Sequence, residues 1–268
     1  MTTTQSARTN LSSKNVRLHS NQLIGEGVFR LCFAGTYIGG NRNQQQAVCK
    51  RFKSTYRDLE DDFFDTDFLV ADKAIELALQ WNKMCEEGKE IMITRGDVMD
   101  IGNHRYMVEP LIRYFTKFTS NNGWIAGNEG WKGLAMEAFT HYTYHRSGGQ
   151  LIVCDLQGRY RYDRFNSDRC RFELTDVAIC SRTRRYGPTD LGEKGIDTFF
   201  ANHTCNRFCQ YNGEHWARPR YVRKWFQASH GTSMLGSGAT KLLQTNNPAR
   251  FTSTLDLIYD DSDSNDSW

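Results

Sequence analysis

The stretch "NHTCNRFC", Asn202 to Cys209, puts one histidine and two cysteines within seven positions of a chain whose other thiols stand alone. Such a group can be core filler, half of a disulfide framework, a redox pair or three ligands of a metal. In one continuous helix Cys205 and Cys209 would share a face, with His203 about half a turn away from Cys205. A bend at His203-Thr204, with a helix starting there, lets all three face one point. Zinc asks for four soft or borderline donors in a tetrahedron, so a closed site needs one more ligand. His141 in "FTHYTYH" is the preferred donor, and His145, one turn along, competes with it.

A second set of residues suits phosphate chemistry. "IGEGVFRLCF" is a strand-glycine-strand element in which Gly25 and Gly27 allow a backbone tight enough to approach phosphates. Lys50 ends "AVCK" on the strand expected next, where its amine can neutralise an anionic ligand. "GGQLIVCDLQG" reads as a turn and a buried strand that ends in Asp155 and an amide, delivering polar groups to the strand's end. The loop "YGPTDLGEKGI" does not fit the phosphate-loop pattern G-x-x-x-x-G-K-[ST], because Glu193 holds the lysine position and Lys194 the hydroxyl position. The HRD, DFG and APE strings of ordinary protein kinases are also missing.

These groups must be held by an α+β framework. From Val16 to about Ile112, short apolar runs separated by Gly and Asn turns predict strands of an antiparallel sheet. One helix interrupts them, predicted over "FLVADKAIELALQWNKMCEEG" with Phe68, Leu69, Ala71, Ile75, Ala78, Leu79 and Met84 on its apolar face and Gly88 at its close. Beyond Ile112 the pattern is mixed, with a helix over "GLAMEAFTHYTYHRS" preceding the buried strand. Residues 1–15 and the segment from 231 to the acidic end at 268 are expected to be loosely held, leaving lobes over 16–112 and 113–230.

Composition narrows the classes. With 268 residues, 39% of them hydrophobic, the chain can build a core without disulfides. Eight mostly dispersed cysteines, no signal-like apolar core at the start and no run of about 18 apolar residues point to a soluble protein of a reducing, cytoplasmic compartment. A net charge of +3 is too small to demand nucleic acid or a membrane as partner.

Taken in order, "GEGVFR", "AVCKRF", "YMVEPLI", "KFTSNNGW", "AFTHYTY", "GGQLIVCDLQG", "ELTD", "GPTDLGEKGI" and "NHTCNRFC" resemble the alpha-kinases, atypical protein kinases with a two-lobed, protein-kinase-like fold. The resemblance implies a strand-rich N-terminal lobe and a zinc-stabilised mixed α/β C-terminal lobe with a cleft between them. It also implies transfer of the γ-phosphate of ATP to Ser or Thr of a protein substrate. Lys50 and Arg30 would hold ATP phosphates, and Glu109 would lie in the segment that engages adenine. Asp155 would be the catalytic aspartate and Gln157 and Asp176 the magnesium ligands. Gly187, Thr189, Asp190 and Gly192 would border the nucleotide, and His141, His203, Cys205 and Cys209 would bind structural zinc. The chain departs from the family in the long link "RYRYDRFNSDRCRFEL" before Asp176, and in Val177 where the family has proline; the link reads as a solvated excursion or a substrate loop. Rival readings are a pseudokinase that binds ATP or zinc without turnover, and a nucleic-acid binder using "RPRYVRKWF".

Overall fold

The computed structural model describes residues 15–27, 29–85, 88–165, 170–235 and 242–244. Its strands are β1 (Asn15–Glu26), β2 (Arg30–Ile38), β3 (Gln46–Phe52), β4 (Glu90–Ile93), β5 (Asp97–Ile101), β6 (His104–Pro110), β7 (Thr116–Lys117), β8 (Leu151–Cys154), β9 (Gln157–Arg161), β10 (Arg171–Leu174), β11 (Ala178–Ser181), β12 (Gln210–Tyr211), β13 (Glu214–His215), β14 (Ser233–Leu235) and β15 (Leu242–Gln244). The α-helices are α1 (Glu60–Trp81), α2 (Gly130–Arg146) and α3 (Glu193–Asn202). The described residues divide into two compact units, 15–60 with 97–111 and 61–96 with 112–244.

The first unit is an antiparallel sheet in the order β1-β2-β3-β6-β5. Register shifts in β1 between Leu18 and Leu23, and between Leu23 and Gly25, bend that edge strand next to the glycine turn. Its own core gathers Phe33, Tyr37, Ala47, Cys49, Tyr106 and Val108.

The second unit holds a four-stranded sheet, β4-β10-β9-β7, a pair β11-β8 and the three helices. Helix α1 belongs to this unit's core and not to the sheet unit where the sequence suggested it. Val70, Ala74, Ile75, Leu77, Ala78 and Trp81 pack with Phe139, Leu151 and Phe172. The helix starts eight residues before the expected Phe68, and its acidic opening "EDDFFDTD" complements the positive end of the helix. It ends at Trp81, before Gly88, because the Asn82 side chain both donates to Ile91 O and accepts from Ile91 N, turning the chain into β4. Leu69, expected inside, is 43% exposed.

The link before Asp176 is ordered at its ends, while Tyr162 and Phe165 between them are exposed. Its two ends form β9 and β10, paired antiparallel from Arg171↔Arg161 to Leu174↔Gly158, and β10 also runs parallel to β4. Aromatic packing of Trp131, Tyr160 and Phe172 anchors the hairpin, while Arg159, Arg161 and Arg171 share the carboxylate of Glu173. Beyond residue 231, Ser233–Leu235 pairs with Leu242–Gln244, so the weakly apolar segment begins within ordered structure. The rest of that segment, and residues 1–14, lie outside the described residues.

Candidate active site and metal centre

Strand β8 is buried at all four positions, which is how a continuous apolar run fixes the place of the residue that follows it. Asp155 then leaves the sheet with φ 56°, a left-handed backbone that is uncommon outside glycine and that turns its carboxylate away from the β8–β11 ladder. The carboxylate is 3% exposed and paired at 2.5 Å with Lys117 Nζ, the last residue of β7. The Thr232 hydroxyl donates to its other oxygen at 2.6 Å. Lys117 sits inside "KFTSNNGW" yet carries no spacing signal toward Asp155; only the β7–β9 pairing, with Lys117 opposite Gln157, brings the two together.

Gln157 opens β9 and Asp176 follows β10, so the hairpin register joins them: Gln157 Nε2 donates to Asp176 O at 3.0 Å, and Thr175 N donates to Gln157 O. Asp176 is exposed with φ 51°. An amide oxygen and a carboxylate are hard donors of the type magnesium prefers, so these two residues fit that ion. Between them Gly158 takes φ 148°, and a Cβ there would overlap Glu173 O.

The loop at 187–192 is built around Asp190. Its fully buried carboxylate accepts from Ser181 N, Ser181 Oγ, Tyr186 N and Gly192 N at 2.6–3.3 Å. Asp190, expected to border the nucleotide, is therefore spent on holding the loop's shape. Gly187 and Gly192 carry φ values of 81° and 71°, and the Thr189 carbonyl accepts from Asn121 Nδ2 at 2.8 Å.

In the sheet unit Lys50 is buried, and its amine forms an ion pair with Glu109 on the adjacent strand β6. The Glu109 carboxylate, expected at adenine, thus faces the lysine. Arg30 opens β2 with its guanidinium 4.4 Å from the centre of the Phe52 ring.

The metal ligands converge as the bend required, although the helix lies before it and not after. Helix α3 ends at Asn202, and His203 caps it in an extended conformation (φ −79°, ψ 127°). His141, from α2, supplies the fourth donor; His145 instead accepts from Ala217 N and stays outside the cluster. All four donor atoms lie within 4.8 Å of one another. Measured edges are 3.1 Å between His141 Nδ1 and His203 Nε2, 3.8 Å from Cys205 Sγ to His141 Nδ1 and 3.6 Å from Cys209 Sγ to His203 Nε2. Tetrahedral zinc, at about 2.0–2.3 Å from its ligands, sets edges of about 3.3–3.8 Å.

Proton bookkeeping supports the same ion. His203 Nδ1–H donates to Glu137 Oε1 at 2.6 Å, and His141 Nε2–H donates to Ala217 O at 3.1 Å. With those two nitrogens turned to Glu137 and Ala217, the remaining ring nitrogens, Nε2 of His203 and Nδ1 of His141, face each other, an arrangement that a cation between them makes favourable. Burial and the neighbouring His203 push His141 down to about 4, keeping it in the neutral form a ligand needs. Burial pushes the Cys209 thiol up to about 12, and a dication beside it reverses that preference. Asn206 N, at 3.4 Å, donates to Cys209 Sγ, and Arg218 lies 3.9 Å from Cys205 Sγ. Glu137, one turn before His141 on α2, went unnoticed in the sequence because only its spacing to a ligand, and no motif, marks it.

Residues 25–209 match the alpha-kinase family. The chain belongs to that family. Eukaryotic elongation factor 2 kinase of Homo sapiens is 27% identical to this alpha-kinase over 206 residues, which are 72% of this chain and 26% of that protein. Alpha-protein kinase 1 of Dictyostelium discoideum is 28% identical over 193 residues, 71% of this chain and 13% of that protein. The chain thus spans about a quarter or less of the length of these relatives. Among solved structures, a novel alpha kinase from Entamoeba histolytica superposes with TM-score 0.60 at 23% identity, covering 82% of this chain and 89% of that one. The alpha-kinase domain of myosin heavy chain kinase A in complex with AMP gives 0.57 at 20% identity, covering 72% and 88%. The fold is the mixed α+β alpha-kinase fold with a strand-rich N-terminal sheet, and the His/Cys cluster is consistent with its zinc site. No helix among the described residues is long and apolar enough to cross a membrane.

Proposed function

We propose that this alpha-kinase transfers the γ-phosphoryl group of ATP to a Ser or Thr hydroxyl of a protein substrate. The observation that carries the reading is Asp155: a buried carboxylate held at the end of an apolar strand by Lys117, and already accepting a hydrogen bond from an alcohol. A carboxylate in that state orients a hydroxyl and takes its proton as the new P–O bond forms and the bond to the ADP oxygen breaks. Lys117 pairs with the carboxylate and aims it. Lys50 and Arg30 neutralise phosphate charge, with Glu109 setting the position of the Lys50 amine. The 187–192 loop borders the substrates, with Gly187, Thr189 and Gly192 offering backbone and Asp190 fixing its shape. Gln157 and Asp176 would hold magnesium, which when bound shields the phosphate oxygens. His141, His203, Cys205 and Cys209 would hold zinc as a structural ion.

The test is transfer from γ-labelled ATP to a mixture of basic proteins. The wild-type chain labels them, and Asp155→Asn lowers the rate by at least about 100-fold. Equal labelling by both would remove Asp155 from the chemistry; no labelling by the wild type, with ATP still bound, would make the chain a binding module. Within "RPRYVRKWF" Trp225 donates to Asp197 and lies under Arg223 and Lys194, while Tyr221 is exposed; retention on nucleic acid that salt removes, without kinase activity, would favour the nucleic-acid reading instead.

A further inference from the structure

The alcohol on Asp155 belongs to the chain itself. Residues 229–235, "SHGTSML", run across the end of β8 as a strap, and two consecutive buried asparagines grip it on both sides of Thr232. Asn122 accepts from Ser229 N at 2.9 Å and donates to Ser229 Oγ, Gly231 O and Ser233 Oγ at 2.8–3.1 Å. Asn121 accepts from Ser233 N at 2.9 Å and donates to Ser233 O at 2.7 Å. Further along, Leu235 N donates to Pro188 O at 2.8 Å, tying the strap to the 187–192 loop.

Asn121 holds the strap by its main chain alone, whereas Asn122 also takes the hydroxyls of Ser229 and Ser233, so the grips fix both the backbone and the two serines on either side of Thr232. Between the two grips the backbone presents one hydroxyl to the carboxylate. Thr232 Oγ1 lies 2.6 Å from Asp155 Oδ2 and 3.2 Å from Lys117 Nζ, while Lys117 itself holds Asp155 Oδ1. Ser229 and Ser233, which flank it, spend their hydroxyls on Asn122.

We propose that Thr232 occupies the acceptor position of this kinase and is its intramolecular phosphorylation site. The inference rests on the kinase reading above and names one substrate of that same site. In the step, the Thr232 oxygen forms a bond to the γ-phosphorus of ATP, the bond from that phosphorus to the ADP oxygen breaks, ADP leaves and the Thr232 proton passes to Asp155. The product carries about −1.5 to −2 charges within contact of a carboxylate. Lys117, 3.2 Å from that oxygen and already paired with Asp155, offsets only one of these charges, so the excess repels, the phosphorylated strap leaves its grips and the acceptor position opens to other proteins.

The experiment incubates the full chain with magnesium and γ-labelled ATP at protein concentrations spanning tenfold, followed by peptide mapping. Label on Thr232, appearing at a rate independent of dilution, is the expected result. In Thr232→Val that peptide carries no label and, with the strap still gripped by Asn121 and Asn122, labelling of basic proteins falls far below that of the wild type. Phosphorylation of basic proteins with Thr232 unmodified would overturn this inference alone. So would label at Thr232 whose rate rises with protein concentration, or label persisting on the strap in Thr232→Val. A chain that labels neither itself nor basic proteins would overturn the kinase reading and this inference with it.

Discussion

Replacing the Asp155 carboxylate with an amide removes a proton acceptor but little packing, since the buried strand before it and the Lys117 contact persist in shape. Asp155→Asn is therefore expected to be folded and inactive. Cys205→Ala behaves in the opposite way. Structural zinc contributes on the order of 10–16 kcal/mol of apparent binding free energy in small peptides, as large as the whole stability of many domains. The variant should appear in the insoluble fraction without metal; normal solubility and stoichiometric zinc would remove Cys205 from the ligand set. Glu137→Gln is the milder probe, because it keeps a hydrogen-bond acceptor for His203 but loses the charge. We expect a 10- to 100-fold fall in zinc affinity by chelator competition. Asp155 could be read from sequence because an apolar run ended on an acid. Lys117, Glu137 and Thr232 could not, since each acquires its role from a partner 38, 66 or 77 positions away.

At the level of elements, the turn after Asp155 depends on one glycine. In Gly158→Ala the new methyl meets Glu173 O in the paired strand, and the φ of 148° is one that L residues avoid. A loss of about 3 kcal/mol is expected, read as a lower denaturant midpoint. An unchanged midpoint would show that the hairpin adjusts freely. The sheet of the first unit and helix α2 were legible because period-two and helical apolar patterns are local, whereas α3 was not: the helix was expected to start at the His203-Thr204 bend and instead ends there. The start of α1 was not, because "EDDFFDTD" has the composition of a polar turn and becomes helical only through tertiary support from its later turns, Val70 to Trp81. The link between Gly158 and Asp176 departs from its solvated reading only at its ends, where Trp131, Phe172 and Glu173 supply partners, while Tyr162 and Phe165 between them are exposed.

For the molecule as a whole, the two units have cores that share no residue, so metal removal should act on them unequally. After chelation, hydrogen exchange is expected to speed up across 130–146 and 193–211 while β2 and β3 keep their protection. Uniform loss of protection would contradict this. Acid should act in the same direction. In the metal-free chain His141 binds its proton less readily when folded, at about 4, than when unfolded, so the stability it contributes is present above about 6.5. That contribution is lost as pH falls toward 4, and it can be followed by melting temperature across that range.

The four soft donors also knot the polypeptide into a lasso. His141 and His203 stand 62 positions apart, and bridging them shortens the slack of the unfolded chain by an entropy worth about 4 kcal/mol in the loop-closure picture. Asp155, Gln157, Asp176 and the whole 187–192 turn hang on that closed noose, whereas Lys117 and Thr232 do not. An ion held by those donors would thereby tension the stretch that carries the proposed catalytic residues.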